Sequence, residues 1–354
     1  MRDVLAKWQP VVDAEIENLL PRRIDEAYLT AFFGPASHRY DTSAIQQALS
    51  EPVWELLDRG GKRWRAVVCL LLIDGFGEDP HTYVPYACIP EILHNGTIIV
   101  DDVEDGATMR RGGPALHHLY GVDVALNAGN AMYFLPLKII SHNPADLDAD
   151  RQLAAYEMLM YELNRTHLGQ GMDIHWHNEG DVNVTEAEYL EMSACKTGCL
   201  GRIVARLACI VTDQPPAVET AAAAFAEEMS IAFQIGDDIL DIENSLDLAG
   251  DFGKEFGNDI REGKKTLIVI HSLTNADAAD ANRLTQILEA TDNTDDEILE
   301  AIEILQSTDS IAYARERALE FAASAREHLE SVRLAPERER DLAAFTRFVV
   351  ERDT

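Results

Sequence analysis

An all-α fold is what this 354-residue sequence predicts, on three observations. Apolar residues recur with a helical period along nearly the whole chain, strand-like alternation is nearly absent, and glycine and proline pairs punctuate the periodic segments. The first segment, 3–30, is amphipathic and acidic, unlike a secretory leader, and ends ahead of Gly34-Pro35. Segment 44–58 runs up to Gly60-Gly61, and this glycine turn leads into the apolar helix 62–76. Segment 85–105 ends in acidic residues, and Gly112-Gly113-Pro114 separates it from 121–141. Segments 150–175 and 186–211 flank a polar stretch, Asn178–Thr185. Pro215-Pro216 opens 217–241, and a loop rich in glycine and aspartate, Glu243–Glu262, follows it. Polar loops this long in a compact domain are usually functional or disordered. Segments 264–273, 280–290, 295–305, 310–333 and 336–352 complete the chain. No short period repeats, which excludes a solenoid. With 47% hydrophobic residues the core can be large, and a single domain, 1–354, of a dozen or so helices is the simplest organisation.

The formal net charge is −32, from 62 acidic and 30 basic residues. Such a charge repels nucleic acid and, at low salt, the protein itself. In about 1 M salt the Debye length falls to roughly 3 Å and the repulsion is screened, so the composition suggests a salt-adapted source. The acids are spread along the chain, which an interaction tail would not require. No apolar run reaches the roughly 18 residues of a membrane span, and a soluble, cytoplasmic protein is expected. The five cysteines, odd in number and set among apolar residues, are expected to be buried free thiols without a zinc site. Lysine occurs only at positions 7, 62, 138, 196, 254, 264 and 265. A chain this poor in lysine keeps it where a point charge can serve phosphate.

Two acidic clusters carry chemistry. Asp101-Asp102-Val103-Glu104-Asp105 follows the apolar run 97–100, and Asp237-Asp238-Ile239-Leu240-Asp241 follows 231–236. In each, the first and last aspartates stand one helical turn, about 6 Å, apart on one face. Like charges so placed cost energy unless a cation bridges them. Magnesium prefers hard oxygen ligands, one or two carboxylates plus phosphate oxygens. Two such clusters facing each other would hold several magnesium ions around one diphosphate. The acids at 146–150 and 292–297 are as dense but lie among polar residues, where a solvated face explains them.

Basic residues accompany the clusters. Gly60-Gly61-Lys62-Arg63-Trp64-Arg65 places cations at a helix N-terminus, opposite to what the helix dipole favours. An anionic ligand would resolve that mismatch and use the free N–H groups. Arg110-Arg111-Gly112 sets two fork-shaped phosphate donors close after the first cluster.

These motifs together resemble the trans-isoprenyl (polyprenyl) diphosphate synthase family. GGKRWR, EILHNGTIIVDDVED, RRGGPALHHLYG, GQGMDIHW, CKTG, FQIGDDILD, FGKEFGNDI and GKKTL occur in the family's order and spacing, from about Trp54 to Leu273. LHN before the aspartates, and QGMDIHW followed by TEAEY, are most similar to eukaryotic-type geranylgeranyl diphosphate synthases. Ala66, Val100 and Ile268 depart from the family's frequent proline, histidine and proline, and the stretch 241–254 looks a few residues long.

The resemblance implies an all-α bundle of the isoprenoid synthase type with a central catalytic cavity, expected as a homodimer. It implies that isopentenyl diphosphate is bound by Lys62, Arg65, His94 and Arg111. The allylic diphosphate is assigned to Arg110, Lys196, Thr197, Gln234, Lys254 and Lys264, and magnesium to Asp101, Asp105, Asp237 and Asp241. Lys196, Thr197 and Gln234 would be catalytic, stabilising the allylic cation by their dipoles. Gly96 and Thr97, small residues one turn or more before Asp101, leave the hydrocarbon tunnel without an aromatic plug. Tyr133, Phe134 and His167 match a deeper floor, which favours a geranylgeranyl product over a geranylfarnesyl or longer one. A terpene cyclase would not need Lys62, Arg65 and His94 for a second diphosphate. A non-catalytic subunit of a heteromeric synthase would lack one cluster, and both are intact.

Overall fold

Helices form where the periodicity places them, and prolines decide where two of the expected ones break. The computed structural model describes residues 2–179, 183–246, 257–290 and 292–350, and is 79% helical. The expected helix 3–30 is two, Arg2–Leu19 and Glu26–Phe33. Pro21 disfavours helical backbone at the residue before it, and Asp25 restarts the helix by accepting the Tyr28 N–H. Pro136, which has no N–H to continue the helical ladder, divides 121–141 into Val122–Phe134 and Leu137–His142, although Leu135 before it keeps helical backbone. The segments 44–58 and 186–211 are continuous, but each contains a π-helical turn, Gln46–Ser50 and Ala194–Gly198. The short helices Leu116–Tyr120 and Asn258–Arg261 were not expected. Among the described residues one strand pair occurs, Met109–Arg110 against Gly113–Pro114, turned by Arg111 and Gly112, both at positive φ.

Two compact units divide the chain. The first comprises 1–158 with 207–214, and the second 159–206 with 215–354. In the first, the helix Val84–Glu104 packs against Val122–Phe134, Trp64–Gly75 and Arg2–Leu19. Trp64–Gly75 is apolar almost all round and is buried accordingly. In the second, the helix Pro216–Leu246 packs mainly against Ser310–Val332, and also against Ala194–Gly198, Leu267–Asn275 and Pro336–Val350. Its stripe Ile231, Ile235, Ile239 and Ile242 enters the core, whereas Gln234, Asp238 and Asp241 follow one another along a polar stripe.

Gly96 has a packing role that the sequence did not show. A Cβ there would lie 2.8 Å from Met132 Cβ and 2.9 Å from the Gly129 carbonyl oxygen. Gly129 in turn leaves no room beside Val100 and Ile99. The smallness of Gly96, expected to open a tunnel, is taken up by this close helix crossing. Gly96→Ala is expected to destabilise the protein by about 1–3 kcal/mol through overpacking, read from the denaturation midpoint. An unchanged midpoint would remove the crossing from the fold's requirements.

All five cysteines are free and buried, and burial pushes the Cys199 thiol up to about 11. No helix among the described residues is long and apolar enough to cross a membrane.

Candidate active site

The first unit gathers basic side chains around the middle of Val84–Glu104. Gly60 and Gly61 both adopt positive φ, and Arg63, at the start of Trp64–Gly75, is left-handed as well. The φ of Gly61 is what favours glycine there, and a Cβ would in addition lie 2.7 Å from the Arg63 guanidinium and push it aside. Arg63 is buried and structural: it donates to Asp13 at 2.7 Å and to the Leu57 carbonyl at 3.1 Å. Arg65 is buried, with its guanidinium 4.2 Å from the Trp64 ring centre. Arg111, left-handed at the hairpin tip, donates to the Gly60 carbonyl at 2.9 Å. Arg59 donates the other way, to the carbonyls of Arg110 at 2.9 Å and Pro114 at 2.8 Å. The glycine turn and the hairpin are thereby clasped by two arginines, of which the sequence pointed only to Arg111.

His94 lies within the field of this group. Burial, reinforced by Arg65, Arg111, Arg110 and Arg63, holds its imidazole well below its ordinary range, so it stays neutral at physiological pH. A concentration of like charge around one neutral histidine is costly without an anion to share. Lys62, at the same turn, is exposed.

Asp101 and Asp105 lie at the end of the same helix, on the face of His94 and Thr97, with Asp101 about 10 Å along the axis from His94. Both are half-buried, and the Asp105 N–H donates to the Asp101 carbonyl at 2.8 Å. Asp102, between them, faces inward and pairs with Arg110 at 2.5 Å. Arg110, assigned from the sequence to the allylic diphosphate, is thus anchored by the cluster's middle carboxylate.

Tyr133 is buried in the field of Asp101 and Glu104, and burial together with those carboxylates pushes its phenol up. Phe134 is 66% exposed. His167 is exposed too. A floor residue must be buried, so the floor expected of Phe134 and His167 is not formed by them within this chain, whereas Tyr133 is buried.

The second unit assembles the remaining expected residues on three elements. Lys196 and Thr197 sit in the π turn Ala194–Gly198, a distortion often found at functional sites. Gly169 lets the helix Ala149–Asn178 approach this turn, since a Cβ there would lie 2.4 Å from the Lys196 nitrogen. The Lys196 ammonium is held by the buried Asp173 of the GQGMDIHW motif at 2.5 Å. Thr197 donates to Gln234 Oε1 at 2.8 Å, and Gln234 Nε2 donates to Asp238 at 2.9 Å. Asp238 also accepts from Tyr189 at 2.7 Å. Burial and the neighbouring Asp259 push the Asp238 carboxyl up, while the Tyr189 and Gln234 hydrogen bonds oppose that shift. Asp237 is half-buried; Asp241 is buried and accepts the Asp259 N–H at 3.1 Å. Lys264 pairs with Glu262 at 2.6 Å. Lys254 lies outside the described residues.

Sequence reasoning missed Arg59, and gave no individual role to Arg63, Asp173, Tyr189 or Asp238. Asp173 and Tyr189 stood in recognised motifs, whereas nothing local marks Arg59.

Against known proteins, residues 46–305 match the polyprenyl synthetase family model. The chain is 34% identical over 297 residues to a geranylgeranyl pyrophosphate synthase of Geoglobus acetivorans, covering 84% of this chain and 88% of that protein. It is 31% identical over 315 residues to a geranylfarnesyl diphosphate synthase of Natronomonas pharaonis, covering 84% and 88%. The solved geranylgeranyl pyrophosphate synthetase of the archaeon Geoglobus acetivorans superposes with a TM-score of 0.81 at 30% identity, over 99% of this chain and 100% of that one. The chain belongs to the polyprenyl synthetase family, the trans-isoprenyl diphosphate synthases. It has that family's all-α fold and is a prenyltransferase enzyme.

Proposed function

We propose that this enzyme condenses isopentenyl diphosphate with an allylic diphosphate, yielding geranylgeranyl diphosphate. The observation that carries this reading is the pairing, on one face of Val84–Glu104, of an arginine-rich group around His94 with the Asp101–Asp105 carboxylates. One end suits a bare diphosphate and the other a metal-bridged one, which a cyclase with a single diphosphate does not require. The reading takes 1–354 as one synthase domain acting as a cytosolic homodimer.

The donor set fits magnesium. It consists of paired hard carboxylates at helical spacing on Val84–Glu104 and Pro216–Leu246. Asp101, Asp105, Asp237 and Asp241 would hold the ions. When bound, magnesium neutralises charge developing on the departing diphosphate. Lys62, Arg65 and Arg111 bind isopentenyl diphosphate by charge. Neutral His94 donates one hydrogen bond to the same diphosphate without adding to the repulsion among the arginines. Arg110, Lys196, Lys254 and Lys264 hold the allylic diphosphate, while Thr197 and Gln234 direct their dipoles at the cation left behind. Isopentenyl diphosphate then attacks that cation through its double bond, and loss of a proton completes the new chain.

Incubation with labelled isopentenyl diphosphate and each allylic primer, with chromatography of the dephosphorylated products, tests the reading. Growth to twenty carbons supports it; no incorporation with any primer refutes it. A geranylfarnesyl product is the second reading, favoured by the Natronomonas pharaonis relative. Length is assigned to Thr97 and Tyr133, the latter buried beside the aspartates. Tyr133→Ala should shift the main product by at least one isoprene unit, and an unchanged product distribution would remove Tyr133 from the tunnel.

A further inference from the structure

Tyr189 takes no part in the chemistry described so far, yet its hydroxyl is tied to the residues that do. It lies on the helix Glu186–Ser193, started by a capping box between Thr185 and Glu188, which runs directly into the turn bearing Lys196 and Thr197. The ring is 1% exposed. A buried phenol needs an acceptor, and this one uses Asp238 Oδ2. The other oxygen of that buried carboxylate accepts the Gln234 amide, and Gln234 accepts the Thr197 hydroxyl.

Each link fixes the sense of the next. Both oxygens of the Asp238 carboxyl accept, Oδ2 from the Tyr189 hydroxyl and Oδ1 from the Gln234 amide. Gln234 therefore cannot turn its amide over without setting its carbonyl oxygen against the oxygen that now accepts from it. With that carbonyl turned toward Thr197, the threonine proton is committed to it. To any further group the Thr197 oxygen can then offer only lone pairs. A hydroxyl so committed repels diphosphate oxygens and favours positive charge. In a low-dielectric interior the links polarise one another.

We propose that Tyr189 is a positioning residue that, through Asp238 and Gln234, presents Thr197 as a hydrogen-bond acceptor toward the allylic carbocation. The proposal rests on the reading of Thr197 and Gln234 given under the proposed function. The simpler alternative is that Tyr189 merely satisfies a buried carboxylate, in which case its hydroxyl matters to stability and not to the cation.

The test is steady-state kinetics of the full-length enzyme, with labelled isopentenyl diphosphate and an allylic primer, on Tyr189→Phe, Thr197→Val and the double variant. Phenylalanine keeps the buried ring and deletes only the hydroxyl. Tyr189→Phe should lower kcat about tenfold, the upper end of what one buried hydrogen bond contributes. Both KM values should stay within about twofold, because the interaction is made with the transition state. Added to Thr197→Val, it should lower kcat no further, since the two act on one hydroxyl. Denaturation midpoints report any stability loss separately. A wild-type kcat in Tyr189→Phe, or a full further tenfold loss in the Thr197→Val background, would overturn the relay while wild-type turnover leaves the synthase reading standing. A wild type that incorporates no isopentenyl diphosphate would overturn both.

Discussion

Asp101→Ala should lower kcat about a thousandfold while leaving the fold intact. The position is half-buried at the last turn of its helix, and the change removes one of several like charges there. Folding therefore loses little, and relief of repulsion with Glu104 and Asp105 offsets part of it. Catalysis loses a carboxylate that would fix the cation on the departing diphosphate, and losing one preorganised electrostatic stabiliser costs roughly 10²–10³ in rate. The control is the neighbouring residue. Asp102 is buried and bonded to Arg110, so Asp102→Ala leaves a guanidinium without its partner and should lower stability as well as activity. Circular dichroism and denaturation midpoints separate the two effects. Wild-type turnover in Asp101→Ala would refute the metal assignment.

The contrast between Asp101 and Asp102 shows what a sequence can and cannot reveal here. Spacing alone put Asp101 and Asp105 on one face, because i and i+4 are fixed by helix geometry. The same geometry applies to Asp237 and Asp241. Which partners the middle aspartates take depends on residues 8 and 49 positions away, Arg110 and Tyr189, and no local pattern carries that. A matched family position also says nothing of what covers the residue, so the resemblance implied an interior floor at Phe134 although the single chain leaves it 66% exposed. Gly96 read as open space because a missing side chain looks the same in sequence whether it faces a tunnel or another helix. The left-handed backbone at Arg63 and Arg111 was invisible for a further reason: arginine has no preference for that region, and only the surrounding contacts hold it there. The broken helices were legible in principle, since Pro21 and Pro136 stand at the breaks.

Glu162→Ala should destabilise the protein by about 3–5 kcal/mol, the largest stability loss expected of a side chain outside the substrate pockets. Glu162 is 1% exposed on the helix Ala149–Asn178. It accepts from Arg202 Nε at 2.9 Å and from Arg206 at 3.1 Å, and forms an ion pair with Arg202 Nη2 at 2.8 Å. Arg202 is buried as well; burial works against its charge, but Glu162 and Glu227 outweigh that and raise its pKa overall. Removing Glu162 leaves a space that water would have to fill between two guanidinium groups, each then held by a single carboxylate, Arg202 by Glu227 and Arg206 by Glu219. The damage should reach the active site by a short route, because Arg202 also donates to the Ala194 carbonyl at 3.0 Å, where the π turn bearing Lys196 and Thr197 begins. A loosened turn would displace the Lys196 ammonium from Asp173 and the Thr197 hydroxyl from Gln234, so kcat should fall together with the denaturation midpoint. Glu162→Gln retains shape and one acceptor and should lose less of both. If Glu162→Ala unfolded at the wild-type midpoint, the buried ion network would be dispensable to the turn it supports.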